Sequence, residues 1–428
     1  MVAGSTVWES AQVAAEERGG LPVPGFARFW WGHAVSGFGT GITLLALQAL
    51  VVVTLQGSAV QVGWLSSARW LPYLVLGLVV GALVDRVDRR PVMVVTDLTR
   101  ALLLALVPLA WSLDLLTFPL LLVVVVGVGT ASLVNDAASM SFLPRLVPRA
   151  RLQRAHARLD GADAVAQTAG PAVAGALVRL VGAPLAVLVD ALTYVFSAVA
   201  VATLPRASEV VPARPVDTGP RTLSGEVREG VRWVYGASGL RRLAVATHVW
   251  FAGQAVLLVA LPTFAYLQLQ LSAWQLGLVL ALGGVGALGG ATSSTAVGHR
   301  LGTGGTIICA HAVSAAGVAV MVVAGLPTSA WAAAAVLAVG QLGHGFAMGL
   351  SNSHEMTYRQ ALTPDALQAR TNTTMRSLNR AVVVVVSPLA GLAADRLGYG
   401  EALGAAALVF AVSALLLALS PFRHVRVT

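Results

Sequence analysis

Gly81-Ala-Leu-Val-Asp85-Arg86-Val-Asp88-Arg89-Arg90 is a boundary between two solvents. Before it, residues 62–84 carry one charge, Arg69; residues 85–90 carry five; after it, residues 92–113 carry only Asp97 and Arg100. A helix needs about 20 apolar residues to cross the hydrocarbon of a bilayer, and charge inside that layer is costly. The two apolar runs are therefore expected to be a pair of spanning helices joined by a short charged loop.

The same rhythm recurs along the chain. Apolar stretches of spanning length fall at 28–54, 62–84, 92–113, 117–142, 160–181, 184–204, 241–267, 274–297, 304–325, 329–352, 371–394 and 400–420. Continuous apolar runs lack the alternation of a lipid-facing strand, which excludes a β-barrel. Of 428 residues, 57% are hydrophobic and 11% charged, with a mean hydropathy of +0.78. Soluble domains are about 45–50% apolar and about 25% charged, so a soluble core is excluded, as are collagen-like and disordered chains. The expected fold is an all-α polytopic membrane protein with twelve transmembrane helices in two pseudo-symmetric six-helix bundles. The one cysteine, Cys309, permits neither a disulfide framework nor a cysteine metal site within this chain.

The net charge of +9 comes from 28 arginines, with no lysine, against 19 acids. With the N-terminus inside, 22 arginines fall in cytoplasmic segments, two (Arg179 and Arg396) in outer loops and four (Arg69, Arg100, Arg376 and Arg380) within spans. The positive-inside rule then places both termini in the cytoplasm and the chain in the plasma membrane, with arginines against anionic headgroups of membrane lipids. Topology accounts for the basic excess, and no nucleic-acid partner is expected. The first 25 residues lack the basic-then-apolar order of a cleaved signal peptide, so insertion is expected to rely on the first span.

Residues 205–240 interrupt the rhythm with four prolines and several charges, and read as a cytoplasmic linker between bundles at 28–204 and 241–421. Residues 1–27 form a cytoplasmic N-terminal segment and 422–428 a cytoplasmic tail. The bundles match each other in order. At an offset of 214, Arg28 meets Arg242, Gly39 meets Gly253, Gln61 meets Gln275, Gly63 meets Gly277 and Arg86 meets Arg300. The register then drifts: Gly127 and Gly129 meet Gly343 and Gly345 at 216, and Pro171 meets Pro388 at 217. An ordered series at nearly constant offset indicates duplication. Two copies of six helices insert the same way up, which puts a cavity at their interface and suits alternating access.

The opening segment resembles the signature of the major facilitator superfamily, Gly-x-x-x-Asp-Arg-x-x-Arg-Arg, between its second and third helices. The chain is also similar to the exporter branch that includes macrolide-efflux and enterobactin-exporter-like proteins. That likeness rests on Leu71-Pro72, Asp97-Leu-Thr-Arg100, Pro148 with Leu152-Gln153, Gly170-Pro171 with Gly175, and Asp190-Ala-Leu-Thr-Tyr. It implies a gating role for Gly81, Asp85, Arg86, Arg89 and Arg90, and a small-molecule substrate exchanged for protons. Two departures matter. The fourth span lacks the arginine of proton-driven drug antiporters, and the fifth-span motif retains only Gly170-Pro171 with Ala174-Gly175; in the degraded second-half copy of the loop signature His299 stands opposite Asp85.

Ionisable residues within spans are functional candidates. Asp97, Arg100 and Asp136 are expected to gather with Asp85, Arg86 and Arg89 near the inner loop, for gating or for structural pairing. Arg69 shares a helix face with Ser66, Tyr73, Gly77 and Gly81, and either faces the cavity or snorkels. Asp190, His33 and His344 are coupling candidates. Asn372, Arg376 and Arg380 share one face of the eleventh span, and Asp160, Asp163 and Gln167 a comparable face of the fifth, with opposite signs in corresponding places; both faces are expected at the inner gate. Polar stripes add His33, Gly37, Gly41 and Gln48 on the first span and Gln341, His344, Met348 and Asn352 on the tenth; Asn379 joins the substrate or coupling candidates. Gly37, Gly41, Gly77, Gly170, Pro171 and Gly175, with Gly286 and Gly290, are expected to serve close helix packing.

Other motifs carry no chemistry. Gly284-x-Gly286-x-x-Gly289 lies in an apolar span with no preceding strand, His354-Glu355 lacks a second histidine, and a chain without lysine has no Walker motif. No cofactor or metal is called for, and the reading is a monomeric secondary exporter of small amphipathic molecules rather than an enzyme. An importer or a lipid flippase on the same fold remains the alternative.

Overall fold

The computed structural model describes residues 25–84, 87–148, 151–204, 223–236 and 239–426. Among these the regular elements are helical, as lipid requires when no water is present to satisfy the backbone. Helix α1 (Phe26–Ala49) continues through a π turn (Leu50–Thr54), and α2 (Ala59–Val84), α3 (Arg89–Ser112), α4 (Phe118–Leu146), α5 (Leu152–Val181) and α6 (Ala183–Ala202) follow. A short α7 (Leu223–Tyr235) lies in the connection, and α8 (Arg241–Thr263) ends in a second π turn (Phe264–Gln268). Then come α9 (Ala273–Val322), α10 (Ala330–Leu362), α11 (Gln368–Leu397) and α12 (Tyr399–Ala418).

Ten stretches among the described residues are long and apolar enough to cross a membrane, and one of them, Ala273–Gly325, is 53 residues long and holds two crossings. With the 26-residue α2 this makes twelve. The two crossings within α9 meet at Gly302, whose φ of 73° and ψ of 170° no residue with a Cβ adopts readily. The eighth and ninth expected spans are therefore separated by one glycine instead of a loop.

The duplication is visible in the backbone. The π turns begin 214 residues apart, and each is followed by a left-handed glutamine, Gln56 (φ 50°) and Gln270 (φ 52°). Two residues on, the Ser58 amide donates to Gln61 Oε1 at 3.0 Å and the Ser272 amide to Gln275 Oε1 at 2.9 Å. A left-handed non-glycine residue costs roughly 1–2 kcal/mol, so the same strain at the same place is inherited turn geometry.

The halves of the chain meet at the end of the bundle opposite the termini. There α2 crosses α11 and α5 crosses α9 with backbone against backbone. Gly63 faces Ser387 and Pro388, Gly391 faces Ala59 and Val60, Gly175 faces Ala273 and Trp274, and Gly277 faces Pro171. A Cβ at any of the four would collide with main-chain atoms. Within the halves, Gly41 lies against Gly170, while Gly286 and Gly290 receive Leu342 and Phe346. Gly37 faces Asp163 and Ala166 at ordinary contact distance. Gly77 departs from its expected packing role: its would-be Cβ meets no neighbouring helix within 4 Å, although Tyr73 and Val80 on the same helix are buried.

The expected linker is not wholly a loop. Residues 205–222 lie outside the described residues, but α7 docks on α11, where Arg370 Nη1 donates to Glu229 Oε2 at 2.5 Å and Gly230 faces Thr374. Substituting Gly290 by Val should overpack the α9–α10 crossing and cost about 1–3 kcal/mol, whereas Gly77→Ala should leave the melting temperature unchanged or slightly raised. Thermal unfolding of the two purified variants, followed by size-exclusion fluorescence, measures both.

Candidate transport site

Two cavities lie at mid-length in the bundle. The first, of about 280 Å³, is enclosed by α1, α2, α3, α4 and α6 and closed by one residue of α11, Arg380. Its charged wall is Arg69, Arg100, Asp136, Asp190 and Arg380. The second, of about 290 Å³, opens between α1 and α5 on one side and α8, α9 and α10 on the other. Leucine and glycine line most of it, with Gln48, Gln167, Gln254, Gln341 and His344 as the polar groups. Gln48 borders both cavities.

Helix spacing explains the first wall. Asp97 and Arg100 lie one turn apart on α3 and form a buried ion pair, with Asn135 donating to Asp97 Oδ1 at 3.2 Å and the Arg100 guanidinium 4.1 Å above the Tyr194 ring. Asp136 accepts from the Tyr73 hydroxyl at 2.7 Å. Asp190, 1% exposed, accepts from Thr193 at 3.0 Å in space that only a glycine at position 39 leaves open. Arg380 reaches out of the other half and stacks 4.4 Å above Tyr73 and 5.4 Å from Trp70.

The gating group expected at the inner loop is described only in part. Asp85 and Arg86, and the surroundings of Gly81, lie outside the described residues. Arg89 donates to the Val87 carbonyl at 3.1 Å, and Arg90 donates to the Ala202 carbonyl at the end of α6. Arg100 and Asp136 instead line the first cavity, because their faces of α3 and α4 turn inward rather than toward the loop. Of the two opposite-sign faces, Asp163 pairs with His33 at 2.9 Å, Arg380 enters the aromatic pair, and Asp160 and Arg376 are exposed. Asn379 joins neither cavity. Its Oδ1 lies 2.6 Å from His248 Nδ1, whose Nε2 lies 2.5 Å from the Tyr235 hydroxyl, so it ties α7 to α8 and α11.

His344 is buried on the wall of the second cavity, 3.0 Å from Gln254 and stacked on Trp250 at 5.9 Å and 9°. Sequence reasoning passed over Trp250 and Gln254, whose types are ordinary in a span. It also passed over Asp395, near the C-terminal end of the eleventh span. That carboxylate accepts from the Ala59 and Val60 amides at 3.0 Å each, capping the first turn of α2 from the opposite half of the chain. A carboxylate suits a helix N-terminus, where unpaired amides and the helix dipole both favour negative charge.

The profile of the Major Facilitator Superfamily matches residues 29–382. The chain belongs to that superfamily. It is thus a multi-pass membrane transporter of twelve helices rather than an enzyme. The multidrug efflux pump Tap of Mycolicibacterium fortuitum is 33% identical over 307 residues, 68% of this chain and 71% of the pump. Macrolide efflux protein A of Streptococcus pyogenes is 29% identical over 182 residues, 41% of this chain and 44% of its own. Among solved structures, a bacterial homologue of the iron transporter ferroportin in an inward-facing state superposes with a TM-score of 0.72 at 16% identity, covering 92% of this chain and 99% of that one. The nucleoside transporter NupG superposes at 0.69 with 12% identity, covering 92% and 98%. At such identities the structures speak for the fold alone.

In this facilitator, removing the Asp395 cap should loosen the closed end. Asp395→Ala is expected to raise labelling of a cysteine placed at Ser58 by a membrane-impermeant maleimide several-fold over the same cysteine in the parent, with Asp114→Ala as a control that leaves labelling unchanged.

Proposed function

We propose that this transporter is a secondary active exporter of small amphipathic molecules of the drug, macrolide or siderophore type, working by alternating access and exchanging substrate for protons. Two rigid bodies, 28–204 and 241–421, rock about the crossings of α2 with α11 and α5 with α9, and the linker joins them on the cytoplasmic side. The observation that carries the reading is the second cavity. It lies between the halves, is mostly apolar with polar groups from both sides, and sits beneath crossings made of backbone. The efflux pumps that the sequence matches support the export direction. The arginine distribution supports a cytoplasmic location for both termini, so the end that is closed here would be the outer one.

Within this reading the first cavity is a recognition pocket. Asp136 and Asp190 supply its negative charge, each accepting from a hydroxyl, at 2.7 and 3.0 Å. Arg69 and Arg380 supply positive charge from opposite halves. The protein acts as a monomer in the plasma membrane, with arginines against anionic lipid.

Reconstitution into vesicles with an imposed pH gradient and a panel of macrolides, siderophores and fluorescent lipids tests the proposal. Gradient-dependent movement of a macrolide or siderophore is expected, reduced about tenfold or more by Asp190→Asn and by Arg380→Ala and little changed by Arg376→Ala. Movement of lipid alone, or accumulation insensitive to the gradient, would replace the exporter by a flippase or an uncoupled carrier.

A further inference from the structure

The second half contains a buried titratable group that neither cavity uses directly. His311, on the second crossing of α9, is 2% exposed. Its Nδ1 lies 2.8 Å from Ser413 Oγ on α12, and its Nε2 lies 3.5 Å from Glu355 Oε1 on α10. Ser413 has one proton, and it donates that proton to the Ala246 carbonyl at 2.7 Å. The serine oxygen can then only accept from His311, which fixes the Nδ1–H tautomer and leaves Nε2, facing Glu355, as the atom whose proton can come and go.

The duplication gives this arrangement a counterpart. At an offset of 214 His311 falls on Asp97, and at 216 Ser413 falls on Ser197, whose hydroxyl bonds Asp97. Each half thus holds a buried ionisable residue against a serine of its sixth spanning helix, with an oppositely charged partner: Arg100 in the first half, Glu355 in the second. A guanidinium does not release its proton, so the first pair is permanent; an imidazole can take up a proton and give it back, so the second is not.

A physical path leads from His311 to the substrate cavity. Trp250 lies 6.4 Å from His311 on one side and stacks at 5.9 Å on His344 on the other, and His344 with Gln254 forms the wall of the second cavity. The other ionisable groups around the pair are few. On α10, Arg359 lies one turn beyond Glu355 and interacts with it electrostatically, while His354 is bound to the Ser294 carbonyl at 3.0 Å. On α8, His248 is held by Tyr235 and Asn379. On α12, Glu401 lies twelve residues from Ser413, about 18 Å along the helix. The Glu355 side chain, 22% exposed, gives the pair its contact with the outside.

We infer that the His311–Glu355 pair is the proton-binding site that couples proton movement to the cavity between the halves, an assignment that rests on the proton-coupled export proposed above. In the step, an O–H bond of hydronium breaks to leave water and an N–H bond forms at His311 Nε2. The pair passes from a carboxylate facing a neutral imidazole to an imidazolium–carboxylate pair. The change at the imidazole reaches the cavity through the Trp250–His344 stack.

The full-length protein in lipid nanodiscs supplies the test, because an imidazolium quenches a neighbouring indole. Tryptophan fluorescence titrated with pH should show a step. The step should vanish in His311→Gln and in Trp250→Phe, persist in His344→Gln, and change its midpoint in Glu355→Gln, where the imidazolium loses its counter-charge. No step in the parent, a step that survives His311→Gln, or one that vanishes in His344→Gln overturns the assignment; should His311→Gln fail to fold, Glu355→Gln and His344→Gln decide it. In vesicles with erythromycin as probe, His311→Gln and Glu355→Gln should abolish gradient-driven accumulation while gradient-free exchange survives, and unchanged accumulation overturns the coupling role. If the parent moves no erythromycin, it is the macrolide reading that fails, and the fluorescence titration still judges the pair.

Discussion

The approach of two helices in hydrocarbon is limited by the side chains between them, and the crossings that join the halves of this transporter are built where there are none. Gly63 on Ser387 and Pro388, and Gly277 on Pro171, are copies of one contact, since Gly63 and Gly277 correspond at 214 and Pro388 and Pro171 at 217. Lipid supplies no hydrophobic drive for helix association, so such contacts hold by close van der Waals packing alone. What differs between the copies is polar: Asp395 caps α2 across the α2–α11 joint, whereas the start of α9 caps itself through Ser272 and Gln275, and the position matching Asp395 at 217 is Val178. One joint is therefore stitched by charge and the other only by shape.

Charge is distributed with the same asymmetry. The first cavity has three arginines and two aspartates on its wall, with Asp97 behind Arg100, so its formal charges balance. One of the three arginines belongs to the other half. Arg380 sits over Tyr73, which donates to Asp136, so a cation, a ring and a carboxylate form one chain across the interface. Any motion that separates α2 from α11 must withdraw Arg380 from that ring and change the field at Asp136. The second cavity has no such charges and offers amides and one imidazole instead, a wall suited to molecules of varied shape.

The fold was legible because lipid leaves few alternatives. Run length, arginine placement and the offset near 214 are properties of the chain that tertiary packing cannot override, and they carried the twelve crossings and the duplication. The gap between spans eight and nine was misread as a loop because a single glycine in a Gly-only conformation leaves no trace beyond its own letter. α7 was missed because its polar face reads as a break in hydrophobic rhythm. At the site, the residues that line cavities were largely on the short list of charges in spans, since lipid makes each such charge expensive. Their partners were not legible. Whether Asp136 meets Arg89 or Tyr73 depends on the rotation of α4 against α2, and the pattern of a helix that is apolar on nearly every face does not encode its rotation. Asp395 was hidden for a related reason: at a span's end an acid reads as ordinary loop solvation until the helix start it caps is known.

Duplication makes one further step of argument possible. A duplicated fold carries two equivalent positions at mid-bundle, and an unchanged copy would have placed the same group at both. Here Asp97 and His311 have diverged while the serines that hold them, Ser197 and Ser413, have not. Rocking two bodies about a fixed joint is a single relative motion, and a single two-state group is enough to bias it. Two titrating groups at equivalent depth would bias the motion independently and could oppose each other at intermediate pH. A permanent pair in the first half fixes the shape of the wall that bears Arg100 and Tyr194, and a changeable pair in the second leaves the response to pH in one place. Divergence of the pair therefore follows from what the two bodies do together, and the retained serines mark the ancestral position from which both descend.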